Sequence, residues 1–217
     1  MIATVIAAVT ARGVAGVCLL GAALAAGCAH RPPAGVAMAP RAWRGLAMPA
    51  DRVRLRDWRE AFVEGLGLAR QAGHGGDIAR EGALLEPDSA LPDAALADGL
   101  YDCRVIKLGG KAAGGLHYIA YPRFDCRVGR EDGLQHFAKL GGSQRPVGHL
   151  YPESPQRTVF LGTLMLGDEQ MAMRYGQDRE RDMAGVVERV GPRQWRLVLP
   201  YPRFESVIDV VELVPKG

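Results

Sequence analysis

Apolar positions recur along this chain in two different rhythms, and the change between them falls near residue 100. Trp58, Ala61, Phe62, Leu66 and Ala69 fall on one face at helical spacing. Asp57 and Glu60 stand where a capping box would open that helix, and Gly73, Gly75 and Gly76 close it. A second short helix is predicted from about Ile78 to Leu85, ending before Pro87, with one more turn between Leu91 and Asp98. From Leu100 the rhythm becomes alternation: Tyr101, Cys103 and Val105 interleave with Asp102, Arg104 and Ile106. Strand-like runs follow at Leu116–Ala120, Phe124–Val128, Leu134–Leu140, Val147–Tyr151, Thr158–Leu166, Met171–Tyr175, Met183–Val190, Trp195–Leu199 and Val207–Val214.

These runs are short, evenly spaced and separated by glycine, proline and charged residues. No helix of useful length intervenes, so the crossovers that parallel strands need are missing. The pattern predicts a mainly β (α+β) domain: an antiparallel up-and-down barrel or barrel-like sheet with an N-terminal helical cap, a sandwich being the other solution. Val159–Leu166 is apolar on both faces, as expected of a wall with a packed interior on one side and a helix on the other.

The N-terminus has a texture of its own. An apolar run from about Gly13 to Leu24 follows the single charge of Arg12 and ends in Leu24-Ala25-Ala26-Gly27-Cys28. It is too short for a spanning helix, which takes about 20 apolar residues. Small residues before a cysteine resemble a bacterial lipoprotein signal, with Cys28 the lipidated first residue of the mature chain. Plain secretion to the periplasm is the alternative, since Ala25 stands where such signals usually carry a larger aliphatic. Ala29 rather than Asp follows the cysteine, so the default destination is the periplasmic face of the outer membrane, with the lipid anchor making the membrane a partner. Residues 1–28 are thus read as signal, 29–56 as tether or linker, and 57–217 as one β-rich domain. Trp43 and Leu46 leave open a strap packed on that domain.

Charge and cysteine use narrow the partners. The full chain carries a net charge of +3, which becomes +2 once Arg12 is removed with the signal. No polybasic block occurs, which argues against nucleic acid. The basic residues are overwhelmingly arginine, a bias of composition. Beyond Cys18 and Cys28, only Cys103 and Cys126 remain, and two thiols in an oxidising compartment favour one disulfide. A redox-active or nucleophilic thiol is the alternative, although no Cys-x-x-Cys is present.

Candidate chemistry is sparse. Tyr-Pro-Arg-Phe occurs twice, at Tyr121–Phe124 and Tyr201–Phe204, and proline confines both copies to strand ends or edges. Tyr121, Arg123, Tyr201 and Arg203 would either frame a binding mouth or plug the barrel ends. The glycine-rich loop before Tyr151 gathers Ser143, Gln144 and Arg145, groups suited to an anionic or sugar-like ligand, yet no Gly-Lys-Ser/Thr makes it a phosphate loop. Glu188, Asp209 and Glu212 lie inside apolar strands, where a carboxylate needs a partner. They are weak catalytic candidates as a hydrolytic acid pair, and Arg–carboxylate pairing is the plainer reading. The five histidines have no helical i, i+4 pair, so neither metal nor cofactor is expected.

Taken together, Asp57-Trp58-Arg59, Tyr101-x-Cys103-Arg104, Phe124-x-Cys126, Gly142-Ser143-Gln144-Arg145-Pro146, Phe160-Leu161-Gly162, Tyr175-Gly176, Arg181-Asp182, Glu188-Arg189, Trp195-Arg196-Leu197-Val198, Glu205-Ser206 and Glu212-Leu213-Val214-Pro215 resemble a family of bacterial lipoproteins, domain of unknown function 4893. The resemblance covers nearly the whole mature chain and supports pairing of the two cysteines, but it implies no activity and no catalytic residues. The leading expectation is a non-enzymatic ligand-binding or envelope-maintenance domain using the barrel mouth, its ligand small and hydrophobic or anionic. A cell-envelope hydrolase and a structural partner of another envelope protein are the alternatives.

Overall fold

The computed structural model describes residues 42–217, so the signal segment, Cys18, Cys28 and the first part of the tether lie outside the described residues. Four helices come first: α1 (Trp43–Leu46), α2 (Pro49–Arg56), α3 (Trp58–Gln71) and α4 (Gly75–Glu81), the last running into a 3₁₀ turn at Gly82–Leu85. Nine strands follow: β1 (Gly99–Gly110), β2 (Tyr118–Ala120), β3 (Phe124–Glu131), β4 (Leu134–Lys139), β5 (Gln144–Ser154), β6 (Arg157–Leu166), β7 (Asp182–Gly191), β8 (Gln194–Pro200) and β9 (Ser206–Pro215). Every pairing is antiparallel: consecutive strands pair from β3 to β9, β1 takes both β2 and β3, and β9 closes on β1 from Tyr101↔Pro215 to Gly110↔Ser206. β2 and β3 lie end to end along the other edge of β1, pairing at Ile106↔Ala120 and Cys103↔Phe124. They form one strand interrupted at Tyr121-Pro122-Arg123, where Pro122 has no N–H for the ladder. The result is a closed eight-stranded up-and-down barrel.

Alternation assigns each strand's side chains to two cores. Odd positions of β1 and β9 (Cys103, Val105, Asp209, Val211, Leu213) join Phe137, Phe160, Val187 and Leu197 inside the barrel. An eight-stranded barrel is just wide enough to be filled by side chains. The intervening positions Ile106, Leu108, Val159, Leu161, Val186, Val198, Ile208 and Val210 face outward and are covered by Phe62, Leu66, Leu84 and Leu85 of the helical layer. That explains the two-faced apolarity of Val159–Leu166. Phe62 is wholly buried, a transfer worth about 1.5–3 kcal/mol. The Cys103–Cys126 disulfide lies in the inner core and ties β1 to β3.

The helical cap starts earlier than the Asp57 boundary read from the sequence. Trp43 and Leu55 are buried against the barrel, and the Trp43 indole donates to Glu153 of β5 at 2.5 Å. Pro49 opens α2 instead of breaking it, since its missing N–H is not needed at a first helical position. α3 buries the face the spacing predicts, but Asp57 makes no side-chain capping bond; its carboxylate accepts from Arg56 at 2.6 and 2.9 Å. Two predicted elements are not formed. Leu91–Asp98 is irregular, its Leu91 and Ala94 amides donating to Arg189 and Pro155 carbonyls. Met171–Tyr175 is part of the long β6–β7 loop, with Met171 82% exposed.

Gly148 of β5 and Gly162 of β6 face each other so closely that a Cβ on Gly162 would lie 2.2 Å from the Val147 carbonyl oxygen. Gly162→Ala is therefore expected to cost about 1–3 kcal/mol through backbone displacement. Chemical denaturation measures it, and an unchanged midpoint would refute this contact.

Candidate functional site at the barrel mouth

Strand polarity places the β1–β2, β4–β5, β6–β7 and β8–β9 connections at one end of the barrel. The second Tyr-Pro-Arg-Phe segment belongs to the β8–β9 connection, whereas the first is the break between β2 and β3, midway along β1. At this end the packed interior gives way to a cavity of about 110 Å³, which Tyr121 and Phe124 of the first segment also line. Its floor is apolar, with Val105, Leu164, Met183, Leu199 and Val211. Its upper wall is polar and is built by Lys107, Tyr121, Lys139, Ser143, Gln144, Glu205 and Asp209.

Two amines point into this space, and their circumstances differ. Lys107 on β1 stands opposite Asp209 on β9 and is 5% exposed. It donates to Asp209 Oδ2 at 3.0 Å and to Gln144 Oε1 at 3.0 Å, and lies 3.2 Å from Glu205 Oε2. The Ser206 hydroxyl donates to the other oxygen of Asp209. Burial disfavours the Lys107 charge, but the two carboxylates outweigh it and hold this amine above its ordinary range.

Lys139 at the end of β4 is 4% exposed and has no carboxylate partner among the described residues. Its ammonium donates to the carbonyls of Gly141 at 2.5 Å and Gln144 at 3.1 Å, and sits 3.8 Å from the centre of the Phe124 ring. Desolvation, then the like charges of Arg145 and Lys107, push its pKa down to about 8. Gly142 makes room for this amine: its φ is +83°, and a Cβ there would lie 2.8 Å from Nζ.

Keeping Lys139 charged costs stability below about pH 8, where the folded state must hold a proton that burial disfavours. That cost disappears as pH rises through 10.5, the ordinary lysine value. Lys139→Met is accordingly expected to raise stability at pH 7 by about 1–2 kcal/mol, with the gain vanishing above pH 10.5. Urea unfolding at pH 7 and 10.5 tests this; a loss at pH 7 would instead make Lys139 a structural tie.

The rim carries strain. Tyr201 and Glu205, neither a glycine, adopt left-handed φ values of +46° and +66° at the two ends of the β8–β9 connection. Backbone strain of this kind costs about 1–3 kcal/mol and collects at functional loops. Glu205 is fixed there by Gln144, whose Nε2 donates to Oε1 at 3.2 Å, and by Lys107.

The residues singled out from the sequence separate by parity. Ser143, Gln144 and Tyr121 line the cavity. Arg203 lines the adjoining cleft with Pro202 and Phe204. Arg145 and Tyr151 alternate with the inward Gln144 and Leu150 and therefore face outward; Arg145 donates to the Glu169 carbonyl, and Tyr151 packs under the helical layer. Arg123 reaches the outer wall at Glu212, 3.2 Å away, and the Tyr201 hydroxyl donates to Glu64 of α3 at 3.0 Å.

Of the candidate acids, Glu188 is the one expected to pair with Asp209 or Glu212; Glu188 and Glu212 share the outer face, in register on either side of Arg196, and each is engaged by arginine. Asp209 points into the barrel, whereas Glu212, three residues on, points out. Glu212 accepts from Arg104, Arg123 and Gln194. Glu188 is also outside, taken by Arg157 and Arg196. Lys107 and Lys139 went unrecognised as site residues in the sequence. The available signal was their phase, each two residues beyond an inward apolar side chain (Val105, Phe137).

Fold and mouth together define a small, filled antiparallel barrel with one polar, amine-bearing opening. A family model described as Domain of unknown function (DUF4893) matches residues 43–213, and the chain belongs to that family. No curated protein and no solved structure matches it.

Proposed function

We propose that this protein is a binding domain whose mouth cavity takes a small molecule, or the end of a larger one, with an apolar body and one polar head. The observation that carries this reading is Lys139, a buried ammonium facing an apolar-floored cavity, whose direct partners are two carbonyls and a ring. Retaining such a charge costs folding free energy, and a ligand's polar group is what would balance it. The cavity is well below the roughly 300–1,000 Å³ of drug-sized sites, which limits the inserted part to a few heavy atoms.

The domain would work in the periplasm, held to the outer membrane through lipidated Cys28. The apolar run before Leu24-Ala25-Ala26-Gly27-Cys28 supports this, and the Cys103–Cys126 disulfide suits an oxidising compartment. Native mass spectrometry of the protein purified from periplasm tests the binding function. Expected is a retained small molecule that is lost in Leu164→Phe, which fills the cavity floor. A bare mass for both proteins, with no ligand-dependent thermal shift across a metabolite panel, would overturn it. Palmitate labelling that persists in Cys28→Ser would overturn the anchor.

A further inference from the structure

We propose that Lys139 is a nucleophilic lysine that captures a small aliphatic aldehyde or ketone at the barrel mouth as a Schiff base. The inference rests on the ligand-binding reading of the same cavity and names its ligand class. It begins with composition: the chain has 23 arginines and only four lysines, Lys107, Lys111, Lys139 and Lys216. Two of the four point into the barrel, and Lys111 follows β1 on the same rim, where its ammonium donates to the Pro202 carbonyl. Arginine supplies charge but does not give up its proton in proteins, whereas lysine does when it is buried. Of the two lysines in the cavity, Lys139 alone has no carboxylate partner among the described residues, the setting in which a lysine can give up its proton.

Lys107 cannot serve, because Asp209 and Glu205 hold it as an ammonium. Lys139 packs on Phe124 from β3 and donates to the Gln144 carbonyl of β5, with the charges of Lys107 on β1 and of the outward-facing Arg145 acting on it, and Asp209 and Glu205 beyond Lys107. Desolvation beside other cations is a known way to activate an amine. With a pKa of about 8, about a tenth of Lys139 is neutral at pH 7.

The chemistry balances without an oxidant or reductant. The neutral Nζ lone pair attacks the carbonyl carbon, forming a C–N bond as the C=O π pair moves to oxygen. Oxygen takes up one proton and nitrogen releases one, giving a carbinolamine. A further proton on that hydroxyl lets it leave as water, the nitrogen lone pair forms C=N, and loss of the iminium proton leaves the imine. The Lys107 ammonium and the Tyr121 and Ser143 hydroxyls are proton-bearing groups lining the cavity beside it. Val105, Leu164 and Leu199 match a short aliphatic body.

The test uses the full-length folded protein at pH 7 with butanal and sodium cyanoborohydride, which reduces the imine to a stable butyl-lysine. Peptide mapping then follows each of the four lysines. Lys139 is expected to be alkylated at least about tenfold faster than Lys216, whose amine Asp125 holds above its ordinary value. The advantage should disappear in urea and fall in Leu164→Phe, which keeps Lys139 but fills its cavity. Alkylation of Lys139 no faster than Lys216 in the folded protein would overturn the proposal. If native mass spectrometry still finds a retained ligand in that case, the binding function stands and the covalent step alone fails. With no ligand and no selective alkylation, both fall.

Discussion

Replacing Arg196 by alanine is expected to cost about 3–5 kcal/mol, because it strips the donors from Oε2 of buried Glu188, leaving only Arg157 on Oε1, and from several buried carbonyls. Arg196 is fully buried between β8 and the helical layer. Its Nε and Nη2 donate to Glu188 Oε2 at 3.0 and 2.7 Å. Nη1 donates to the carbonyls of Ala83, Leu84 and Glu86, and Nη2 to that of Pro87. The guanidinium thus satisfies carbonyls at the end of the 3₁₀ turn, which has no further helical N–H groups to donate to them. The Phe62 ring covers it at 5.0 Å. Arg196→Lys keeps the charge but not the planar fork, so a loss of about 2 kcal/mol should remain. Urea unfolding measures both, and a loss under about 1 kcal/mol for Arg196→Ala would show that the cap is held without this residue.

Reduction of Cys103–Cys126, or the double replacement Cys103→Ser with Cys126→Ser, is expected to cost about 3 kcal/mol. The bridge spans 23 residues and joins β1 to the strand interrupted at Pro122. At that edge Tyr121-Pro122-Arg123 interrupts the ladder on β1 between β2 and β3. Both sulfurs are fully buried in the inner core, so serine hydroxyls would also be left without water. The loss should appear as a lower denaturation midpoint with and without reductant. A wild-type midpoint insensitive to reductant would contradict it.

The barrel was legible in the sequence because nearly every strand alternates between two apolar environments, or between an apolar and a wet one. Met171–Tyr175 alternates too, but no strand is available to pair with it; the Tyr175 hydroxyl instead binds Asp51 and accepts from the Met48 amide, pinning the loop to α2. The segment from Trp43 to Arg56 looked like spacer because it continues a proline-punctuated stretch (Pro32, Pro33, Pro40) and itself carries Pro49. Its helices depend on Trp43 and Leu55 finding the barrel, which no local pattern announces. The mouth was only partly legible. The glycine-rich loop pointed to Ser143 and Gln144, and parity alone separates Gln144 from Arg145 and Asp209 from Glu212. Charge in an apolar strand drew attention to the acids, while the arginine bias that makes the two inward lysines unusual gained meaning only once they were seen in one cavity.

Lysine-selective NMR titration of the folded protein bears most directly on the claim that Lys139 is a buried, unpaired amine at a binding mouth. With four lysines, four resonances are followed. Expected is one midpoint near 8 from Lys139, Lys111 below its ordinary value through burial, and Lys107 and Lys216 above theirs. The Lys139 resonance should vanish in Lys139→Met and shift when ligand is added. Four lysines titrating together above about pH 10 would contradict the account.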